Sequence, residues 1–119
     1  KPSSYIENNI IGFFNIIECC KENKIKHLVY ASSSSIYGDN KVTPSNENSD
    51  TSSPLQLYAA TKKSNEVMGY AYSNLYKIPM TSLRLFTVYG PWGRPDMSLF
   101  IFTKKILENK SIDRIISDL

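Results

Sequence analysis

A chain of 119 residues, 41% hydrophobic and 21% charged, has the length and make-up of one globular domain with a modest core. It has no apolar run of about 18 residues and opens on Lys1-Pro2-Ser3-Ser4-Tyr5, without the pattern of a signal peptide, so no membrane span and a cytoplasmic location are expected. The net charge of +3 is spread without a dense basic cluster, which argues against nucleic acid, and Cys19, Cys20 and the lone His27 make neither a disulfide framework nor a metal site.

Residues 5–24 have a helical pattern, with Ile6, Ile10, Phe13, Ile17 and Cys20 on one stripe and Ile11 and Phe14 beside it. That surface is wider than one core face requires, so part of it should meet a second helix or a partner subunit. Asn8 and Asn9 read as exposed polar positions. Residues 26–33 predict a strand buried on both sides, because His27-Leu28-Val29-Tyr30-Ala31 is short and mainly apolar. Ser32 to Ser35 fall at its carboxyl end, where open α/β sheets hold their ligands. Residues 38–54 lack an apolar period and predict a long surface loop.

A second helix is expected over 55–77, with an apolar stripe of Ala60, Ser64, Val67, Met68, Ala71 and Leu75, and with Tyr58, Lys62 and Asn65 on another side. After Ile78-Pro79 a strand is expected over 80–86, then the turn Tyr89-Gly90-Pro91-Trp92-Gly93-Arg94-Pro95 and a helix over 98–109. Helix, strand, helix, strand, helix is the order of an α/β fold with a parallel sheet flanked by helices.

Tyr58 and Lys62, four apart, lie one helical turn above each other. An ammonium beside a phenol favours the phenolate, and a phenolate can take a proton from a sugar hydroxyl. The same spacing also describes a half-buried ring beside a solvated lysine. The wider constellation narrows the choice, because serines at a strand end, this pair on the next helix and a Gly/Pro turn after the next strand would all line one edge of a parallel sheet.

In Tyr5-Ile6-Glu7-Asn8-Asn9, Ala31-Ser32-Ser33-Ser34-Ser35-Ile36-Tyr37-Gly38, Tyr58-Ala59-Ala60-Thr61-Lys62 and Leu83-Arg84-Leu85-Phe86-Thr87-Val88-Tyr89-Gly90-Pro91 the chain resembles extended short-chain dehydrogenases/reductases, in their nucleotide-sugar epimerase branch. The resemblance implies a partial Rossmann-like sheet, NAD as cofactor and a UDP-sugar as substrate. It implies Tyr58 as general base, Lys62 as the residue on the nicotinamide ribose, and Ser33 as the bridge between substrate hydroxyl and tyrosine. By the same resemblance Asn8, Ser32 and Val88 lie near the cofactor and Ser34 and Thr87 near the sugar. Proton removal with hydride loss to oxidised nicotinamide would give a transient 4-keto sugar, and return of hydride to its other face inverts the carbon.

The turn from Tyr89 to Met97 is similar to that of UDP-glucuronate 4-epimerases, which makes Arg94 a candidate for the uronate carboxylate; a solvated loop arginine or a salt bridge to Asp96 is the other reading. Arg84, within a strand, reads as structural. The resemblance also implies a homodimer through helices 5–24 and 55–77. No G-x-G-x-x-G turn is present, the glycines being Gly12, Gly38, Gly69, Gly90 and Gly93. The chain is therefore expected to be the C-terminal half of an NAD(P)-binding Rossmann-like domain, truncated before most of the substrate domain and inactive alone. A dehydratase or decarboxylase of the same family is the rival, disfavoured because Ser33-Ser34-Ser35 has no acid or base for the extra proton transfer. A non-catalytic scaffold that keeps this architecture is the reading from another class.

Overall fold

Four backbone positions on each of two segments form a parallel ladder, β1 (Leu28–Ala31) against β2 (Met80–Leu83), with Leu28 opposite Met80 and Ala31 opposite Leu83. The computed structural model describes residues 1–112. Pairing runs past the regular strands, since Leu28 N–H donates to Pro79 O, Ser32 N–H to Leu83 O and Ser34 N–H to Leu85 O, all at 3.0 Å or less. Helix α1 (residues 2–22) precedes the sheet, α2 (Leu57–Tyr76) crosses between its strands, and α3 (Ser98–Leu107) follows. The chain divides into two units, Lys1–Phe86 and the segment from Thr87 onward.

Helix α1 differs from the expected regular helix over 5–24. It comprises α-helical Pro2–Tyr5, π-helical Ile6–Ile11 and α-helical Gly12–Glu22. The wide π turn shifts the phase of everything before it. Ile17 and Cys20 are buried as anticipated, but Ile6 and Ile11 of the same apolar surface are exposed.

Strand β1 is not buried on both sides. Its residues alternate, with Leu28 and Tyr30 half-buried and Val29 56% exposed, because the described helices of this unit cover one face of the two-stranded sheet. Tyr30 is the centre of the covered face: its ring lies 4.8 Å from that of Phe13, and a methyl group added at Gly69 would come within 2.5 Å of its hydroxyl.

The apolar stripe expected on the second helix is also corrected. Ala59, Thr61, Asn65 and Gly69 are the buried residues of α2, whereas Val67, Ala71 and Leu75 are exposed. The 61, 65, 69 row repeats every four residues, so one strip of small and polar side chains faces the unit's interior. Helix α2 ends at left-handed Lys77, and Pro79 two residues later blocks its continuation. At its far end Tyr72 Oη donates to Glu18 Oε1 at 2.5 Å, joining α2 to α1, and within α1 Lys21 Nζ donates to Glu18 Oε2 at 2.6 Å.

The long loop after Gly38 is present and internally tied. Asn40, Asn46 and Asp50 each accept, through the side chain, the backbone N–H two residues on. Buried Thr51 accepts from Lys63 Nζ of α2. His27 meets Thr81 across the strand pair at 2.9 Å, in keeping with a structural role, and the Cys20 thiol is pushed up by burial. No helix among the described residues is long and apolar enough to cross a membrane.

Arg84, one residue past β2, ties that end of the strand to Glu66 of α2 through two hydrogen bonds of 3.1 Å. Burial pushes the Glu66 carboxyl up, but Arg84, Ser32 and Ser82 together outweigh it, and the net direction is down. Glu66→Gln is therefore expected to cost about 2 kcal/mol at pH 7, as for hydrogen bonds to charged groups. A carboxyl depressed in the folded state stabilises above its unfolded value of about 4.3, so the gap between variant and wild type should close as pH falls below that value. Thermal unfolding at pH 7 and pH 3 measures both effects.

Candidate active site

Three segments of the first unit meet where the sequence places its candidate residues. The first is the end of β1. Ser32 and Ser33 are buried there, and Ser33 caps the short 3-10 helix Ser34–Tyr37, its Oγ accepting Ser35 N–H at 3.2 Å and donating to Ser35 Oγ at 3.1 Å. Ser34 is half-buried. Ser32 Oγ makes no hydrogen bond of normal geometry, although it lies close enough to the Glu66 carboxylate to favour its charge.

The second segment is the start of α2, which packs directly on the 3-10 helix. Tyr58 and Lys62 occupy successive turns and both are half-buried. Burial pushes the Lys62 ammonium below its usual range. Lys62 has no acidic partner among the described residues. A partly desolvated cation without a counter-ion is a site for neutral hydroxyl acceptors, and a ribose diol fits that chemistry.

The third segment is the π turn of α1. Asn9 Nδ2 donates to Thr61 Oγ1 at 2.9 Å, and Thr61 Oγ1 donates to Tyr58 O at 2.7 Å, so Asn9 is linked to the backbone of Tyr58 through one buried hydroxyl. The Tyr5 ring lies 6.0 Å from that of Tyr58. Asn8 is placed differently from its neighbour. It is exposed, and its amide donates within its own helix to Ser4 O and Ser4 Oγ. Sequence reading singled out Asn8 and missed the contact of Asn9, because the π turn that aims Asn9 at α2 has no periodic signature.

Thr87, Val88 and Arg94 belong to the second unit, where they line a hollow of about 530 Å³ with Gly90, Met97 and Phe100. Arg94 is engaged there by Asp96: Nε donates to Oδ1 at 3.0 Å and Nη2 to Oδ2. Both side chains are well exposed. The first unit holds a larger cleft, about 820 Å³, on the flank of α2 and β2. Tyr30, Tyr37, Glu66, Tyr70 and Arg84 are among its walls, and none of the candidate residues is. Tyr58, Lys62 and Ser33 do not line that cleft; their segments meet instead at the end of β1.

The model of the NAD dependent epimerase/dehydratase family matches residues 1–117. Protein CapI of Staphylococcus aureus is 57% identical over 112 residues, covering 94% of this chain and 34% of that protein. UDP-glucuronate 4-epimerase 4 of Arabidopsis thaliana is 54% identical, covering 93% of this chain and 26% of that protein. The structure of UDP-glucuronic acid 4-epimerase from Bacillus cereus in complex with NAD superimposes with a TM-score of 0.84 at 38% identity, over 92% of this chain and 35% of that one. The chain thus spans about a third or less of the length of these relatives. With a parallel strand pair of Rossmann type, flanking helices and a family match along almost its whole length, the chain belongs to the NAD dependent epimerase/dehydratase family.

Proposed function

We propose that the protein containing this chain is an NAD-dependent nucleotide-sugar 4-epimerase that interconverts UDP-glucuronate and UDP-galacturonate. The chain would supply the C-terminal half of its NAD(P)-binding Rossmann-like domain, ahead of most of the substrate domain. The observation that carries this reading is Lys62, half-buried and without an acidic partner among the described residues, one turn after Tyr58 on a helix packed against the Ser33 turn. The names of the relatives and of the Bacillus structure support the substrate class.

In this reading Tyr58 accepts the proton of the sugar 4-hydroxyl, and Ser33 holds that hydroxyl in line with the phenol. Lys62, one turn further along the helix, binds the nicotinamide ribose. Bound NAD supplies the hydride acceptor and, after the keto sugar turns, the hydride donor. Ser32 and Asn8, with the Val88 backbone, are assigned to the cofactor, and Ser34 and Thr87 to the sugar. Simple epimerisation is favoured over dehydration because Ser33-Ser34-Ser35 contains no acid to expel water. By itself the chain lacks a Gly-rich pyrophosphate turn and should be inactive.

Arg94 is assigned to the substrate carboxylate. Its fork already holds a carboxylate, that of Asp96, so a uronate would have to exchange with Asp96 on a solvent-facing turn. A homodimer through α1 and α2 is also proposed, because Phe14, Ile16, Val67, Tyr70 and Leu75 leave apolar surface exposed on these helices.

In the full-length protein, Tyr58→Phe should lower kcat by at least about 1,000-fold, with NAD affinity within about three-fold, since only the proton acceptor is lost. A near-normal kcat removes Tyr58 from the mechanism. Arg94→Ala should reduce kcat/KM for UDP-glucuronate by about ten-fold or more and leave UDP-glucose little changed. Equal losses on both sugars would detach Arg94 from the carboxylate. The protein should sediment as a dimer at micromolar concentration, and Tyr70→Asp should shift it toward monomer.

A further inference from the structure

Arg84 lies one residue past β2, and its guanidinium touches three other segments. Nε and Nη2 donate to the two carboxylate oxygens of Glu66 on α2, each at 3.1 Å. Nη1 donates to the Tyr37 hydroxyl at 3.3 Å and to Glu47 O at 2.8 Å. The cation also sits 5.1 Å from the centre of the Tyr37 ring.

Each partner belongs to a segment next to the proposed chemistry. Glu66 is one helical turn past Lys62, Tyr37 ends the 3-10 helix that Ser33 caps, and Glu47 is in the middle of the long loop. A four-residue 3-10 helix has few hydrogen bonds of its own, so its seat on α2 depends on side chains that reach across. Ser82 Oγ, donating to Glu66 Oε1 at 3.1 Å, and Lys63, 3.9 Å from Oε2, hold the carboxylate from other sides. The fork is therefore aimed by a fixed anion, and its remaining edge is turned to the Ser33–Tyr37 turn and the loop.

We infer that Arg84 is a positioning residue of the epimerase: its fork holds the Ser33–Tyr37 turn and the middle of the loop in register with the Tyr58–Lys62 turn of α2. The inference rests on the proposed function. Arginine is required by the geometry, since a lysine ammonium can meet Glu66 but cannot also span to Tyr37 and Glu47. Small misplacements of reacting groups act on turnover more than on binding.

The test uses the full-length protein with Arg84→Lys and, as a milder variant, Tyr37→Phe. Arg84→Lys should lower kcat on UDP-glucuronate by about 30-fold while KM and NAD affinity stay within about three-fold, and Tyr37→Phe should lower kcat by about three-fold. Amide hydrogen exchange in Arg84→Lys should rise together over residues 33–47 and 58–66. An unchanged kcat, a loss confined to KM, or faster exchange confined to residues 80–86 overturns the inference. If Arg84→Lys does not fold, Tyr37→Phe decides by the same readouts. If the wild type shows no turnover, the epimerase reading fails separately, and the joint or confined exchange pattern still decides whether Arg84 clamps the two segments.

Discussion

The first unit depends on how closely α2 can approach the sheet. Thr61, Asn65 and Gly69 form the buried strip of that helix, and at Gly69 even one methyl group would collide with the Tyr30 hydroxyl. Tyr30 is held from the other side by the Phe13 ring of α1. A large residue at 69 would lift the helix off the strand pair and move Tyr58 and Lys62 away from the serine turn with it. The cost of this approach is modest apolar burial: among the described residues Ile17, Cys20, Ile36, Ala59 and Ile78 are the buried hydrophobic ones. Polar contacts such as Asn9 with Thr61 and Arg84 with Glu66 supply the definition that so small a core cannot.

The alternation of helices and strands was legible because it rests on punctuation, such as Ile78-Pro79 and the Asn- and Ser-rich loop. The faces were less legible. Periodicity ranked Val67, Ala71 and Leu75 as core because they are apolar, whereas the helix buries what is small enough to fit under Tyr30. Residues 28–31 looked like a fully buried strand because composition cannot report which layers cover a sheet. The π turn was invisible for a related reason. It is a local change of phase, and without it Asn8 and Asn9 cannot be told apart as to which one reaches α2.

Chemistry was legible in a different way. Tyr58 and Lys62 were paired by their spacing and Ser33 was added by the family resemblance, and the structure brings their carrier segments into contact. What spacing could not give is the electrostatic state of each cation. Lys62 is half-buried and has no acidic partner among the described residues. Arg94 is exposed and held by Asp96. In the proposed reading the two therefore carry different burdens: cofactor binding at Lys62 would displace no acidic partner among the described residues, whereas recognition of a uronate at Arg94 would have to compete with a carboxylate two residues away.

Under the proposed function Arg84 would serve structure and Arg94 recognition, and their surroundings differ accordingly. At Arg84 the fork is shielded, its carboxylate partner is itself held by Ser82, and the Glu66 hydrogen bond raises its affinity for the proton, so the charge is committed. At Arg94 both partners face solvent, where an ion pair contributes little and exchange with another anion costs little. A committed cation can hold segments in place but cannot select a substrate. An exposed, weakly paired one can select but cannot hold. The order of the chain sets these roles apart, with one arginine at the end of β2 against α2 and the other on the turn that follows.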